Sequence, residues 1–259
     1  MQNSPRCGYA IVTSSRCIVI PHYRHVPQLE RFLPQLASAN IPLVVVDDGS
    51  GAECLAALKT LLAQYSWVTL VTRPSNGGKG AATTTGLLAA KAQGYSHIVL
   101  VDADGQHDPA DVARIAAESA RRPRAIFSGA PQFGDDIPPA RLYGREITNV
   151  LARLEAGNLG LRDAMCGLRV YPIDLTLPLA QACAYRTRME MDTELLVRAC
   201  WANIDVQFID TQVVYPKEGA SHFRMGRDNV RMAGMHIVLL LSALVRVPLA
   251  KLAKGRTND

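Results

Sequence analysis

The chain has 259 residues, 48% hydrophobic and 20% charged, too apolar for disorder and too poor in Gly and Pro for a fibre. Its six cysteines (Cys7, Cys17, Cys54, Cys166, Cys183, Cys200) show no CxxC spacing and no Cys/His cluster, which argues against a zinc site or a disulfide scaffold. The net charge of +5 sits in residues 217–259, where eight Lys and Arg face three acids, so the preceding residues are balanced.

In chain order, the start lacks a secretory pattern, because the apolar stretch Tyr9–Val12 is too short, and a reducing cytoplasm is the expected setting. Cys17–Pro21 predicts a buried strand, Leu43–Asp47 a second, Trp67–Thr72 a third and His97–Asp102 a fourth. Helix-compatible segments at about 28–39, 52–65, 80–93 and 109–121 separate and follow them. This alternation predicts an α/β fold with a mostly parallel sheet covered by helices on both faces. Ligands of such sheets sit beyond the carboxyl ends of the strands. Further on, a strand is expected at 125–129, a helix from Pro139 or Arg141, a strand at Arg169–Tyr171 and an amphipathic helix at 190–202. Val206–Ile209 and Gln212–Tyr215 read as extended.

Acids collect at the strand ends. In an extended chain Asp102, Asp104 and Gln106 face the same way, and three oxygen donors at that spacing suit Mg²⁺ or Mn²⁺ together with a diphosphate. Asp47 and Asp48 are adjacent carboxylates that need donors to offset their repulsion, such as those of a ribose or base. Ser50 or Asp48 also has the chemistry to cap the helix starting near Ala52. Asn76-Gly77-Gly78-Lys79-Gly80 is not a Walker A loop, since no Ser or Thr follows the lysine, yet a Gly-rich turn with a cation at a helix start suits an anion.

The order Pro21-His22-Tyr23, Asp47-Asp48-Gly49-Ser50, Asn76-Gly77-Gly78-Lys79-Gly80 and Asp102-Ala103-Asp104-Gly105-Gln106-His107 resembles family 2 glycosyltransferases of the GT-A fold, closest to the dolichyl-phosphate mannose synthase-like branch. Asp163–Arg169, Glu190–Leu196 and Tyr215–Arg224 extend the resemblance over about residues 16–226 and are similar to bacterial members associated with acyltransferases in lipid or aryl-polyene-type pathways. It implies that Pro21, Tyr23 and Asp48 line a nucleotide pocket, that Asp102 meets ribose or metal, and that Asp104 and Gln106 hold Mg²⁺ or Mn²⁺ against the diphosphate. It also implies transfer with inversion. Arg24 departs from the pattern, standing where the family usually has Asn, which leaves uridine and guanosine both open.

A departing diphosphate gathers negative charge, which Arg145, Arg169 and Arg224 are candidates to offset. A hydroxyl acceptor needs a base. Asp192 and Glu194 lie about 200° apart on a helix, so only one can face the pocket; Asp192 is the first choice and Glu194 the alternative. An acceptor phosphate would already be ionised. His222 is a candidate for the metal or the departing phosphate, or for an ordinary loop bond to backbone.

Residues 1–226 thus read as the catalytic domain and 227–259 as a basic amphipathic tail. Met232–Val245 is apolar apart from His236 and Ser242 but shorter than the roughly 20 residues of a bilayer span. Arg227, Arg231, Ser242 and Arg246 share one helical stripe, suited to an anionic membrane surface on the cytoplasmic side. Packing on the domain or on a second copy, as a homodimer, is the competing expectation. Nucleic acid is disfavoured, because the helix has no interleaved aromatics and is too apolar. The expected activity is therefore metal-dependent sugar transfer from a nucleotide diphosphate to a lipid-type acceptor. A nucleotidyltransferase would need glycine after the first strand, and Pro21-His22-Tyr23-Arg24 has none. The alternative from another class is a catalytically silent nucleotide-sugar-binding subunit that recruits an enzyme; the intact Asp102, Asp104 and Gln106 weigh against it.

Overall fold

Runs of Val, Ile and Leu with no polar alternation demand burial on both faces, and the sheet supplies it. The computed structural model describes residues 15–133, 139–185, 187–212 and 225–255. Strands β1 (Arg16–His22), β2 (Leu43–Asp47), β3 (Val68–Thr72) and β4 (His97–Leu100) run parallel to one another, with α1 (Val26–Leu36), α2 (Ala52–Leu62) and α3 (Lys79–Ala92) as the crossovers. Next come α4 (Pro109–Ser119), β5 (Ile126–Gln132), α5 (Pro139–Ala156), β6 (Arg169–Pro172), α6 (Ile173–Ala182), α7 (Glu190–Trp201), β7 (Val206–Gln212) and α8 (Met225–Gly255). The order is β3-β2-β1-β4-β6-β5-β7, with β6 antiparallel to both β4 and β5.

Successive residues of β1 feed opposite cores. Cys17 and Val19 join the layer with α3, α6 and α7, while Ile18 and Ile20 join the layer with α1, α2 and α4. Two departures from expectation are local. β4 stops at Leu100, so Asp102 lies in the turn beyond it, and Asp108 caps α4 through the Ala110 amide ahead of Pro109. α6 was not legible, because Pro178 interrupts its pattern.

α8 packs on α5 and α7, burying Met235, Leu239 and Ala243. Two arginines of the expected stripe have partners on the domain: Arg231 pairs with Glu190 and Thr187, and Arg246, still exposed, stacks on Trp201 at 5.2 Å. His236 is buried against Glu155 at 2.8 Å. The helix also exceeds its apolar centre, and Asp228–Val247 has the length and composition of a membrane span with only 22% of it buried. The outward face is apolar, with Ile237, Leu241, Leu244 and Val245 exposed. Neighbouring α5 exposes Tyr143, Ile147, Val150 and Leu154 at helical spacing.

Candidate active site

Parallel register brings the ends of β1, β2 and β3 level, with His22 opposite Asp47 and Asp47 opposite Thr72. Both carboxylates that follow are offset by the protein itself. His22 Nδ1 lies 3.2 Å from Asp47 Oδ1, and the His25 amide donates to His22 Nε2, which sets the proton on Nδ1. Burial lowers the His22 pKa, so the ring is a neutral brace. Asp48, 2% exposed, accepts from Arg73 Nε at 2.8 Å, Gly77 N at 3.0 Å and Gly78 N at 2.6 Å. It therefore anchors the Gly-rich loop rather than waiting for donors from a ligand. Neither Asp48 nor Ser50 caps α2, whose N-cap is Gly51 without a side-chain bond. Gly78, at φ +89°, is required: a Cβ there would stand 2.6 Å from the Thr187 carbonyl.

That loop aims Lys79, the first residue of α3, into a cluster of acids. Its Nζ lies 2.6 Å from Asp102 Oδ1, past β4, and 2.8 Å from Asp192 Oδ2 in the first turn of α7. Burial works against the Lys79 charge, but the two carboxylates outweigh it and hold the ammonium above the ordinary lysine range. Burial would raise Asp102, yet Lys79 and His107 keep it well below the usual carboxylate range. Asp104 goes the other way, raised by burial and then by the Asp102 charge. Its Oδ1 accepts from the Gln106 amide, closing a tight turn. Gly167 abuts the Asp102 carboxylate so closely that a Cβ would overlap it. Asp192 Oδ1 and His107 Nδ1 are buried without a hydrogen-bond partner among the described residues.

The other expected residues are distributed differently. Arg169 is wholly buried and bonds Tyr171 Oη, the Asp192 carbonyl and the Ala164 carbonyl. From the start of antiparallel β6 its guanidinium is committed to these acceptors in the core and ties the first turn of α7, which carries Asp192, to Ala164. Glu194, 0% exposed, accepts from the Ala184 and Tyr185 amides and from Arg198, and is a structural anchor rather than a base. Arg145 forms a fork with Asp163 at 2.5 and 2.8 Å and lies over Phe133. Pro21 and Tyr23 are half-buried at the β1 edge, with Arg24 5.2 Å over the Tyr23 ring. Arg24 has φ 58°, a left-handed conformation in which Asn is enriched, which accounts for the usual Asn at this position. Asp102, Asp104 and Gln106 are half-buried along one turn. His222 and Arg224 lie outside the described residues.

Two clefts open beside these elements. One of about 610 Å³ is lined by Arg24, Pro27, Ser50 and Cys54, and one of about 210 Å³ by Phe133, Leu142, Arg145 and Asn149. Neither is lined by Asp102 or Asp192, whose shared space Lys79 fills.

The family model for Glycosyl transferase family 2 matches residues 17–173, the segment that builds this edge of the sheet. The chain belongs to glycosyl transferase family 2. The polyprenol monophosphomannose synthase of Mycolicibacterium smegmatis is 32% identical over 166 residues, covering 61% of this chain and 62% of that enzyme. The UDP-N-acetylglucosamine–dolichyl-phosphate N-acetylglucosaminyltransferase of Methanococcus voltae is 24% identical over 253 residues, covering 88% and 94%. Among solved structures, glucosyl-3-phosphoglycerate synthase of Mycobacterium tuberculosis, in complex with Mn²⁺ and UDP-glucose, shares the GT-A fold with a TM-score of 0.65 at 16% identity, over 92% of this chain and 84% of that one.

In this glycosyltransferase, no three acidic, His or Cys side chains converge to hold an ion by themselves among the described residues. The hard oxygens of Asp102 and Asp104 fit Mg²⁺ or Mn²⁺ of the kind that brings its remaining ligands as water and diphosphate. The orphaned Asp192 Oδ1 shows that the neighbourhood has acceptor capacity to spare. Arg73 and His22, which brace the paired acids, escaped the sequence reading. Their position at strand ends on the ligand-binding edge was the available signal.

Proposed function

We propose that this glycosyltransferase transfers a sugar, with inversion, from a nucleotide diphosphate to a lipid-linked or polyprenyl-phosphate-type acceptor as a peripheral protein on the cytoplasmic membrane face. The convergence of Asp102, Lys79 and Asp192 at the carboxyl edge of the sheet carries this reading. Relatives named for polyprenol and dolichyl-phosphate acceptors support the acceptor class. Pro21 and Tyr23 bound the nucleoside, and Asp48 holds the loop that presents Lys79 to the phosphates. Asp102, Asp104 and Gln106 would hold Mg²⁺ or Mn²⁺, which supplies charge stabilisation to the departing diphosphate. Asp192 takes the proton of a hydroxyl acceptor through its orphaned oxygen.

A thermal-shift screen of UDP- and GDP-sugars with Mn²⁺ tests the donor class, because stabilisation follows affinity; no shift with any of them removes the proposal. Asp192→Asn is expected to lower transfer to a hydroxyl acceptor by about 10²–10⁴-fold but to an ionised lipid phosphate by less than about tenfold. Equal losses on both acceptors would show that Asp192 is not a base.

The apolar faces of α5 and α8 support membrane attachment, with hydrophobic burial as its main source, since Arg231 is already paired with Glu190. Ile147, 63% exposed, and Leu244, 73% exposed, can accept charge without disturbing the core. Ile147→Glu with Leu244→Glu should at least halve sedimentation with lipid vesicles while nucleotide affinity stays unchanged. Unaltered sedimentation would place the attachment elsewhere.

A further inference from the structure

Lys79 already pairs with Asp102, one of the carboxylates assigned above to the ion. Its ammonium takes Asp102 Oδ1 at 2.6 Å and Asp192 Oδ2 at 2.8 Å, with only 17% of the side chain exposed. The three residues come from the start of α3, the turn after β4 and the first turn of α7, so the lysine ties together parts of the site that no strand pairing connects. Two buried or half-buried carboxylates facing each other without it would repel. Asp104, farther along the turn, stays raised by burial and then by the Asp102 charge.

Resting on the nucleotide-sugar reading above, we propose that Lys79 is the site's resident cation and couples metal entry to donor entry. An ion arriving alone must share Asp102 with an ammonium already bound to it, and two cations on one carboxylate repel. A nucleoside diphosphate changes the balance, because it offers Lys79 a new anion and offers the ion phosphate oxygens. Lys79 then moves from Asp102 to the diphosphate, and Asp102 is released to the ion. Metal and diphosphate therefore bind as a pair, each raising the affinity of the other by the same factor.

Mn²⁺ binding, followed by the loss of the free-ion electron paramagnetic resonance signal, gives a readout independent of transfer. Lys79→Met should bind Mn²⁺ alone at least tenfold more tightly than the unaltered protein, and should bind UDP or GDP without metal at least tenfold more weakly. Those opposite signs are not what a merely structural lysine gives. Lys79→Arg, which keeps the cation, should leave Mn²⁺ binding weak. An unchanged or weakened Mn²⁺ affinity in Lys79→Met overturns the proposal.

A second measurement needs no variant. In ¹⁵N-lysine-labelled protein, the Lys79 ammonium resonance should hold still with Mg²⁺ alone and shift with Mg²⁺ plus UDP or GDP. A shift with Mg²⁺ alone, or none with both, overturns the coupling. If neither nucleotide binds with any metal, the proposed function fails, whereas the Mn²⁺-alone comparison still reads whether Lys79 guards Asp102.

Discussion

Asp104→Asn should lower glycosyl transfer by about 10²–10³-fold while the fold stays intact, the loss typical of removing one stabilising group from a site of developing charge. The substitution keeps an oxygen for the Gln106 amide, so the turn after β4 survives. It removes one of the two carboxylates that would hold the ion against the departing diphosphate. Stability should not fall, and the sign follows from the environment. Burial and the Asp102 charge already disfavour the ionised form of Asp104, so a neutral side chain relieves repulsion above the ordinary carboxylate pKa. Initial rates with the donor found by thermal shift, alongside a melting curve, make the comparison. Full transfer by Asp104→Asn, or full transfer in excess chelator, would remove the metal from the reaction.

Arg169→Ala should cost about 3–5 kcal/mol of stability, near the upper end for a single substitution. The guanidinium serves Tyr171 Oη and the Asp192 carbonyl from a wholly buried position, and its loss leaves both without that donor. The Ala164 carbonyl keeps a second donor in Thr193 Oγ1, which limits the damage. A cavity adds to the cost. Arg169→Lys should recover little, since one ammonium on a flexible stem cannot reproduce a planar fork among three acceptors. Urea denaturation measures both variants. A change under about 1 kcal/mol in Arg169→Ala would show that the buried guanidinium is balanced by its own desolvation and holds nothing in place.

The first half of the chain was legible because local signals agreed there. Buried strands with no polar alternation, strand-end acids and a Gly-rich helix start specify β1 to β4 and place Asp102, Asp104 and Lys79 on one edge. Parallel register then brings those ends together, so residues far apart in sequence meet at one edge of the sheet. The second half was read less well. Pro178 conceals α6, and the direction of β6 depends on its pairing between β4 and β5. Arg169, Arg145 and Glu194 were candidates for the reaction in the sequence and are each committed to partners: carbonyls in the core, Asp163, and the amides ahead of α7.

The sequence by itself determined the α/β alternation, the acids at the strand ends, the lysine at a helix start and the apolar stretch Met232–Val245. Only the tertiary structure decided which charges remain available. Helical spacing places Arg231 and Arg246 on a stripe but cannot say what they meet; the fold brings Glu190 to Arg231 and Trp201 to Arg246, both distant in sequence. Asp192 and Glu194 likewise have the same chemistry and lie two residues apart. One is brought to Lys79 and the other to backbone amides because a helix separates them by about 200° and the surrounding packing fixes its rotation.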